Sequence, residues 1–520
     1  MVLKKWMSSR WLVFALVFAW KAALLLFSAQ PVPANDAFFY DGPVVNYLLH
    51  GEYVNPSLVM AFPISGTEVF SAYPPLYQLV LLSWMHLFGT AALSAMSLHL
   101  VLFGIYMLVI LAILNRLHTP IWCVHIAGAF LLVLTFHDRP DSVAHVFGML
   151  SVYAWLRSRG LPLIHRWEKN TARWTWAAVA FVLLSLGTSL QIGGIYFLWV
   201  CLGMVATTLG GNKRFPTVPM LVMVALPIML MLLVVVVFPN LWGGFMEHAR
   251  QTPSLTGWRW PRMREVLKVA RTVPGVIAVA FLLPWLWFKQ WKDSESPVDA
   301  AHELLVMTGL LTTLSVVVAS LTLMTPNMVT IAAYVQPLLV AAYLALRASL
   351  MPGKRWVRAQ AGAFLLLMLL GSIRALGMTT WGLACAEDVS YASAIQLVRN
   401  ELQASPSGST VALSSAYLYE ASRHNEIRTI HSDWLGRPSD WPGDEREALI
   451  VLKPAKLILT QFDYYRWYER IIMDLRKRPD FVKVDILNTA RIRPPDAFKP
   501  LQRVVQHVSW APVVVRFSWN

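Results

Sequence analysis

Hydrophobic residues in this chain fall in long unbroken runs, not in the alternating or 3.6-residue stripes of a soluble fold. The first run covers Trp11 to Ser28. A polar, proline-bearing stretch from Gln30 to Ala72 follows. Apolar segments then recur near 73–90, 98–114, 121–136, 143–156, 174–190, 192–209, 217–238, 273–289, 303–324, 329–346 and 361–384. About 17 to 25 apolar residues cross roughly 30 Å of hydrocarbon, so the pattern predicts an α-helical polytopic membrane protein.

From about Ala386 the pattern changes to mixed polar sequence through Asn520. β-rich runs at Thr410–Leu413, Ile427–Ile430, Lys456–Leu459, Phe481–Ile486 and Pro512–Phe517 alternate with helix-like stretches at 391–403 and 465–476. This predicts a small α/β domain outside the membrane. The expected division is a transmembrane module over 1–385 and a soluble extracytoplasmic domain over 386–520. Residues 30–97 are expected to form a first extracytoplasmic loop with juxtamembrane helices.

Lys and Arg in short loops set the orientation. Lys4, Lys5 and Arg10 precede the first run, which reads as an uncleaved signal anchor although Val32-Pro33-Ala34 loosely resembles a cleavage site. Residues 157–173 carry five basic residues against Glu168, and 347–358 carry Arg347, Lys354, Arg355 and Arg358. All three regions are expected to be cytoplasmic. Twelve full crossings would break that assignment, so one segment should not cross. Residues 73–90, opening on Tyr73-Pro74-Pro75 and holding His86, are expected to be a juxtamembrane or re-entrant helix. Eleven spans remain, with the N-terminus inside and the C-terminus outside; short loops and a compact outer domain suit a bacterial inner membrane.

Composition agrees: 57% of the residues are hydrophobic and 14% charged, against about 25% charged in ordinary soluble domains. The formal charge is +15. Its basic residues gather in short loops, where topology and anionic lipid headgroups account for them, and no nucleic-acid partner is expected. Three cysteines, Cys123, Cys201 and Cys385, offer neither a disulfide framework nor zinc-type spacing. No metal ligand set is indicated; a divalent metal stays open. Gly-rich phosphate loops, GxSxG, HExxH and EF-hand motifs do not occur.

Chemistry-bearing residues collect on the face opposite the basic loops. The segment from Asn35-Asp36 to Tyr40-Asp41 follows the first span, with Glu52 further on. Next come Ala72-Tyr73-Pro74-Pro75-Leu76-Tyr77 and the Arg139-Pro140-Asp141 turn. In that order these segments resemble the GT-C superfamily of membrane glycosyltransferases. Within it, the protein O-mannosyltransferases and lipid A aminoarabinose transferases look most similar. The resemblance covers roughly residues 1–340 and includes Asn327, Tyr334 and Pro337. The chain departs from the pattern where many relatives have Asp-Glu in place of Asp36-Ala37, and Lys-Pro-Pro-Leu in place of Tyr73-Pro74-Pro75-Leu76.

The resemblance implies transfer of a monosaccharide from a polyprenyl-phosphate donor to an acceptor at the outer face, with Asp36 as general base. The acceptor, a glycan, lipid or protein, is not specified. The chemistry asks for the same parts. A carboxylate removes the proton of the attacking hydroxyl, a single displacement inverts the anomeric centre, and cationic groups receive the leaving phosphate's charge. Candidates for that role are Arg139, Arg374 inside the last span, and the basic 239–272 loop with His248 and Arg250. An arginine within a span normally faces protein or a wet cavity.

Each candidate has a plainer role beside it. Asp36 can cap a helix, Asp41 and Glu52 read as solvated loop acids, and Arg139 can pair with Asp141 to orient the turn. Glu247 and His248 read as interfacial residues or as metal or acceptor contacts. Tyr40, Tyr73 and Tyr77 are candidates to stack on sugar, and Pro74-Pro75 to start a helix. The competing functional class is a transporter or flippase of a lipid-linked or small polar substrate, whose path Asp36, Arg139 and Arg374 would line. A third is an assembly protein that keeps the scaffold without activity.

Overall fold

The structure is a computed structural model. It describes residues 9–520 except 31, 34, 60–61, 72, 135–139, 159–170, 210–215, 252–296, 323–332, 386–389, 433–444, 479–480 and 489–509. Helix α1 is Leu12–Ser28, α2 Asn35–His50, α3 Pro63–Thr67, α4 Leu76–Phe88, α5 Ala92–Arg116, α6 Ile121–Phe130, α7 Asp141–Ser158, α8 Thr171–Leu186 and α9 Leu190–Leu209. Next come α10 Thr217–Val237, α11 Pro239–Gln251, α12 Pro297–Thr322, α13 Gln336–Leu350 and α14 Arg355–Cys385. The polar stretch after the first span is therefore largely helical, with Pro43 inside α2.

Among the described residues, five helical segments are long and apolar enough to cross a membrane: Ala92–Arg116, Leu190–Leu209, Thr217–Val237, Val298–Ala319 and Ala333–Leu350. They mark the chain as an integral membrane protein. Helices α1, α4, α6 and α8 are apolar but shorter. The expected segment at 273–289 lies outside the described residues. Helix α10 shows its apolar side chains almost entirely outward, as a lipid-facing helix does. The interior helices approach closely through glycines. A Cβ on Gly148 of α7 would sit 1.9 Å from the Tyr196 ring of α9, and one on Gly203 of α9 2.3 Å from Trp155 of α7.

After α15 (Tyr391–Gln403) the chain forms one five-stranded sheet. Its strands are β1 Thr410–Leu413, β2 Arg428–His431, β3 Lys456–Thr460, β4 Val482–Asn488 and β5 Pro512–Trp519, with α16 (Glu445–Leu452) and α17 (Glu469–Arg476) between them. The strand order is β2-β1-β3-β5-β4. β1 pairs in parallel with β2 and β3, and β5 antiparallel with β3 and β4. Side chains alternate faces along a strand, and the two faces serve different cores. Val411, Leu413, Ile458 and Val514 join the core shared with the helical part. Ala412, Leu457, Leu459, Val513 and Val515 pack a second core with Leu449, Ile472 and Leu475.

The sheet sits at one end of the helical bundle and is bonded to it. Trp510 Nε1 donates to the Ala29 carbonyl at 2.8 Å, Ser57 Oγ meets Thr429 Oγ1 at 2.8 Å, and the His431 ring lies 4.3 Å from that of Phe38. Both ends of α4 belong to this sheet end. The Leu76 amide donates to Gly187 O at 3.1 Å, and Arg423 of the sheet part donates to Thr90 Oγ1 at 3.2 Å. At 13 residues, α4 is about 20 Å long, too short to cross about 30 Å of hydrocarbon.

Candidate functional site

Three motif-bearing segments meet at the sheet end. Helix α2 places Asp36 in its first turn; α4 begins directly after Tyr73-Pro74-Pro75; α7 begins at Asp141. Pro75 occupies the residue before Leu76 with helical backbone angles, which suits a ring that fixes φ and lacks an N–H. Consecutive residues of α2 then address different neighbours.

Phe39 and Tyr40 build an aromatic cup. The Tyr40 and Tyr73 rings meet edge-on at 4.8 Å, and Tyr40 lies 6.4 Å from Tyr77. His248 of α11 closes it, with ring centroids 5.2 Å from Phe39, 5.4 Å from Phe62 and 5.2 Å from Tyr73. Burial among these rings lowers the His248 pKa to about 4, so the imidazole is neutral at ordinary pH. The preceding Glu247 accepts from the amides of Ile64 and Ser65 at 3.2 and 3.5 Å. Burial raises its pKa while those amides pull it down. It thereby ties α11 to the first turn of α3.

Asp41 is not the solvated loop acid expected from its polar surroundings: it is 0% exposed. An ionised carboxylate there needs donors. Tyr77 Oη donates to Oδ1 at 2.6 Å and Tyr419 Oη, from the sheet part, to Oδ2 at 2.5 Å. Beyond Tyr77 lie His99 Nε2 at 3.3 Å and then Ser142 Oγ, 2.9 Å from His99 Nδ1. With its proton given to Asp41, the Tyr77 oxygen accepts from His99 Nε2–H, and His99 Nδ1 accepts from Ser142. The chain of bonds thus crosses from the sheet through α2, α4 and α5 to the first turn of α7, next to Asp141.

Of the residues singled out in the sequence, Tyr40, Tyr73, Tyr77 and His248 are brought together in the cup, and Asp141 lies beside Ser142 at the end of the bonded chain. Asp36, Arg250 and Arg374 fall in α2, α11 and α14 with side chains outside the described set; Arg139 lies outside the described residues. Glu52 is exposed, as expected of a loop acid. Missed in the sequence were His99, Ser142 and Tyr419, while Asp41, five residues after Asp36 on one helix, was singled out but read as a solvated loop acid. Among the described residues no group of three or more His, Cys, Asp or Glu side chains could hold a metal.

Fold and site define a polytopic membrane protein whose polar and aromatic residues converge at one end of the bundle, beneath a sheet. In overall structure the chain is similar to ArnT from Cupriavidus metallidurans bound to undecaprenyl phosphate, with 13% identity, 96% of this chain and 97% of that one covered, and a TM-score of 0.48. It is also similar to the Archaeoglobus fulgidus oligosaccharyltransferase in complex with Zn and sulfate (10% identity, 89% and 69% covered, TM-score 0.48). A third is archaeal oligosaccharyltransferase AglB from Archaeoglobus fulgidus in complex with an inhibitory peptide and a dolichol-phosphate (11%, 89% and 71%, 0.47). These are GT-C glycosyltransferases, the superfamily whose motifs the sequence resembles. No protein-family model matches the sequence, and no curated protein does. Likenesses at this level leave the functional reading to the residues themselves.

Proposed function

We propose that this chain is a GT-C-type glycosyltransferase that moves a monosaccharide from a polyprenyl-phosphate donor to an acceptor hydroxyl at the sheet end of the bundle. One observation carries the reading: segments 35–41, 73–77 and 141–142, distant in sequence, meet at one end of a lipid-embedded bundle through the Asp41–Tyr77–His99–Ser142 chain. A donor with a lipid tail and a polar head needs such a border between apolar helices and a polar pocket.

In this reading Asp36 takes the proton of the acceptor hydroxyl as its oxygen bonds to the anomeric carbon. The anomeric carbon–phosphate oxygen bond breaks with its electron pair leaving on the polyprenyl phosphate, and the anomeric centre inverts. Arg139, Arg250 and Arg374 are the candidates to receive that charge, a task suited to the guanidinium fork. Tyr40 and Tyr73 offer rings to the sugar, and Asp41 holds Tyr77 so that the cup keeps its shape. The sheet end is then extracytoplasmic and the basic loops cytoplasmic. The sheet part, residues 386–520, stands over the site as a domain that shares part of its core with the bundle.

The test is transfer from a panel of radiolabelled polyprenyl-phosphate monosaccharides by membranes holding matched amounts of wild type or Asp36→Asn. The expected result is transfer from one donor and a loss of about 10² or more in rate on the substitution, the scale of a lost general base. Transfer by Asp36→Asn at the wild-type rate would remove Asp36 as base. Folded wild type that moves no sugar from any donor would favour a transporter.

A further inference from the structure

Where the sheet part meets helix α2, the seam holds a cavity of about 460 Å³, within the roughly 300–1,000 Å³ of small-molecule sites. Gly42, Asn46 and His50 are spaced four residues apart, so they share one face of α2. With Glu52 and Asn55 they form one wall. Ser422, Asn425, Arg428 and Thr429 of the sheet part form the other. The cup residues Phe39, Tyr40, Tyr73 and His248 do not line it.

Hydrogen bonds fix both walls. His50 is held at both ring nitrogens: Nε2–H donates to Ser422 O at 2.8 Å, and Nδ1 accepts from Asn425 Nδ2 at 2.9 Å. Ser57 Oγ and Thr429 Oγ1 meet at 2.8 Å across the seam. Asn46 Nδ2 donates to Glu52 O at 2.8 Å, and Asn55 Nδ2 to Phe38 O at 2.9 Å. A Cβ on Gly42 would lie 2.5 Å from that Asn55 nitrogen, so the glycine is what lets the amide rest on the helix. A frame already bonded in this way has little ordering left to lose when a ligand enters.

Glu52 and Arg428 stand outside this frame. Both are exposed at the rim, and among the described residues neither forms an ion pair or a side-chain hydrogen bond. An ionised carboxylate offers acceptors alone and a guanidinium donors alone. A simple anion would answer only Arg428, and a simple cation only Glu52. A hydroxyl both donates and accepts, so a polyhydroxylated ring can serve both charges as well as the amides and hydroxyls around them. The apolar side chains of the lining are only Pro56, Ala421 and Ile427, too few to receive a lipid tail.

We propose that this cavity is a sugar-binding site, separate from the aromatic cup, in which Glu52 accepts from the hydroxyls of a sugar ring and Arg428 donates to them. The site stands on the geometry of the seam and does not depend on the transfer reaction proposed above.

The test uses the full chain, purified in a detergent without a sugar headgroup. It is titrated with methyl glucoside, methyl glucosaminide and methyl glucuronide, and separately with glycine. Binding is read by ligand-observed nuclear magnetic resonance, so no transfer activity is needed. At least one glycoside is expected to bind saturably. Glu52→Ala and Arg428→Ala should each weaken it about tenfold or more, the scale of a lost bond to a charged group. Lys483→Ala removes an exposed charge from β4, at the opposite edge of the sheet, and should leave binding unchanged. Wild type that binds none of the glycosides overturns the site. So does binding that survives both pocket variants, which places the sugar elsewhere, or equal weakening by all three. Binding of glycine alone, lost in the pocket variants, would assign the cavity to an amino acid or peptide end instead. If one pocket variant does not fold, the other against Lys483→Ala decides.

Discussion

Asp41 shows how one buried charge organises its surroundings. With 0% exposure it depends on the tyrosines that donate to it, and each such bond to a charged group contributes about 1.5–3 kcal/mol. Tyr419→Phe keeps the ring and deletes one donor, so the protein should lose about that much stability, visible as a lower melting temperature in detergent. Tyr77→Phe removes the other donor and also the link to His99. The double variant should lose more than the sum, because the carboxylate is then left without either phenol. The buried histidines give a pH prediction. Burial holds His248 to about 4 and His431 to about 3, below the unfolded value of about 6.5. As pH falls below 6.5 the unfolded chain binds protons that the fold does not accept. The stability these neutral rings bring is complete above pH 6.5 and is lost progressively toward pH 4 and below. Melting temperature should therefore fall between pH 7 and 4.5, and His248→Gln should flatten that fall. A wild-type melting temperature unchanged over this range would contradict the burial of these rings.

At the scale of elements, local pattern and tertiary demand part company in instructive places. The five strands begin and end within two residues of the β-rich runs, because β-branched runs between polar turns carry a local signal that the sheet then uses. The run expected to be helical from 465 instead opens with a π turn at Tyr464–Tyr468 before α17, placing Tyr464 and Tyr468 in the second core. Helix α2 was hidden by Pro43 and by its polar residues, which look like a loop until the sheet part covers them. His99 and Ser142 were illegible for a related reason. Each sits in an ordinary helical sequence, and only the fold brings them to Tyr77. The close helix crossings make their own prediction. Gly148→Val forces side-chain atoms into the space of Tyr196, already 1.9 Å from an ideal Cβ. The expected cost is about 1–3 kcal/mol of overpacking, read as a broadened size-exclusion peak and a lower melting temperature. Gly362→Val, with open space around its Cβ, is the control that should leave both unchanged.

At the scale of the molecule, α2 is shared between two bodies of structure. Val44 and Val45 face the bundle core, while Phe38 meets His431, Asp41 meets Tyr419, and His50 Nε2 lies 2.8 Å from Ser422 O. One face of the sheet contributes Val411, Leu413, Ile458 and Val514 to the same core as the helices, so removing the sheet part would expose apolar surface on both. A domain joined only by a linker melts by itself; one that shares a core melts with its neighbour. Far-ultraviolet circular dichroism follows mainly the helices. The near-ultraviolet signal includes Trp510, packed on Tyr391 at 4.6 Å and bonded to Ala29. The two signals should therefore lose structure in a single transition. Trp510→Phe cuts the bond to the helical part while keeping a ring, and should lower the temperature of that transition by about one degree, the size of about 1 kcal/mol in a single transition of a chain this long. Two separated transitions in the wild type would mean that the sheet rests on the bundle without sharing its stability. The bonds from Asp41 to Tyr419 could then not hold the cup.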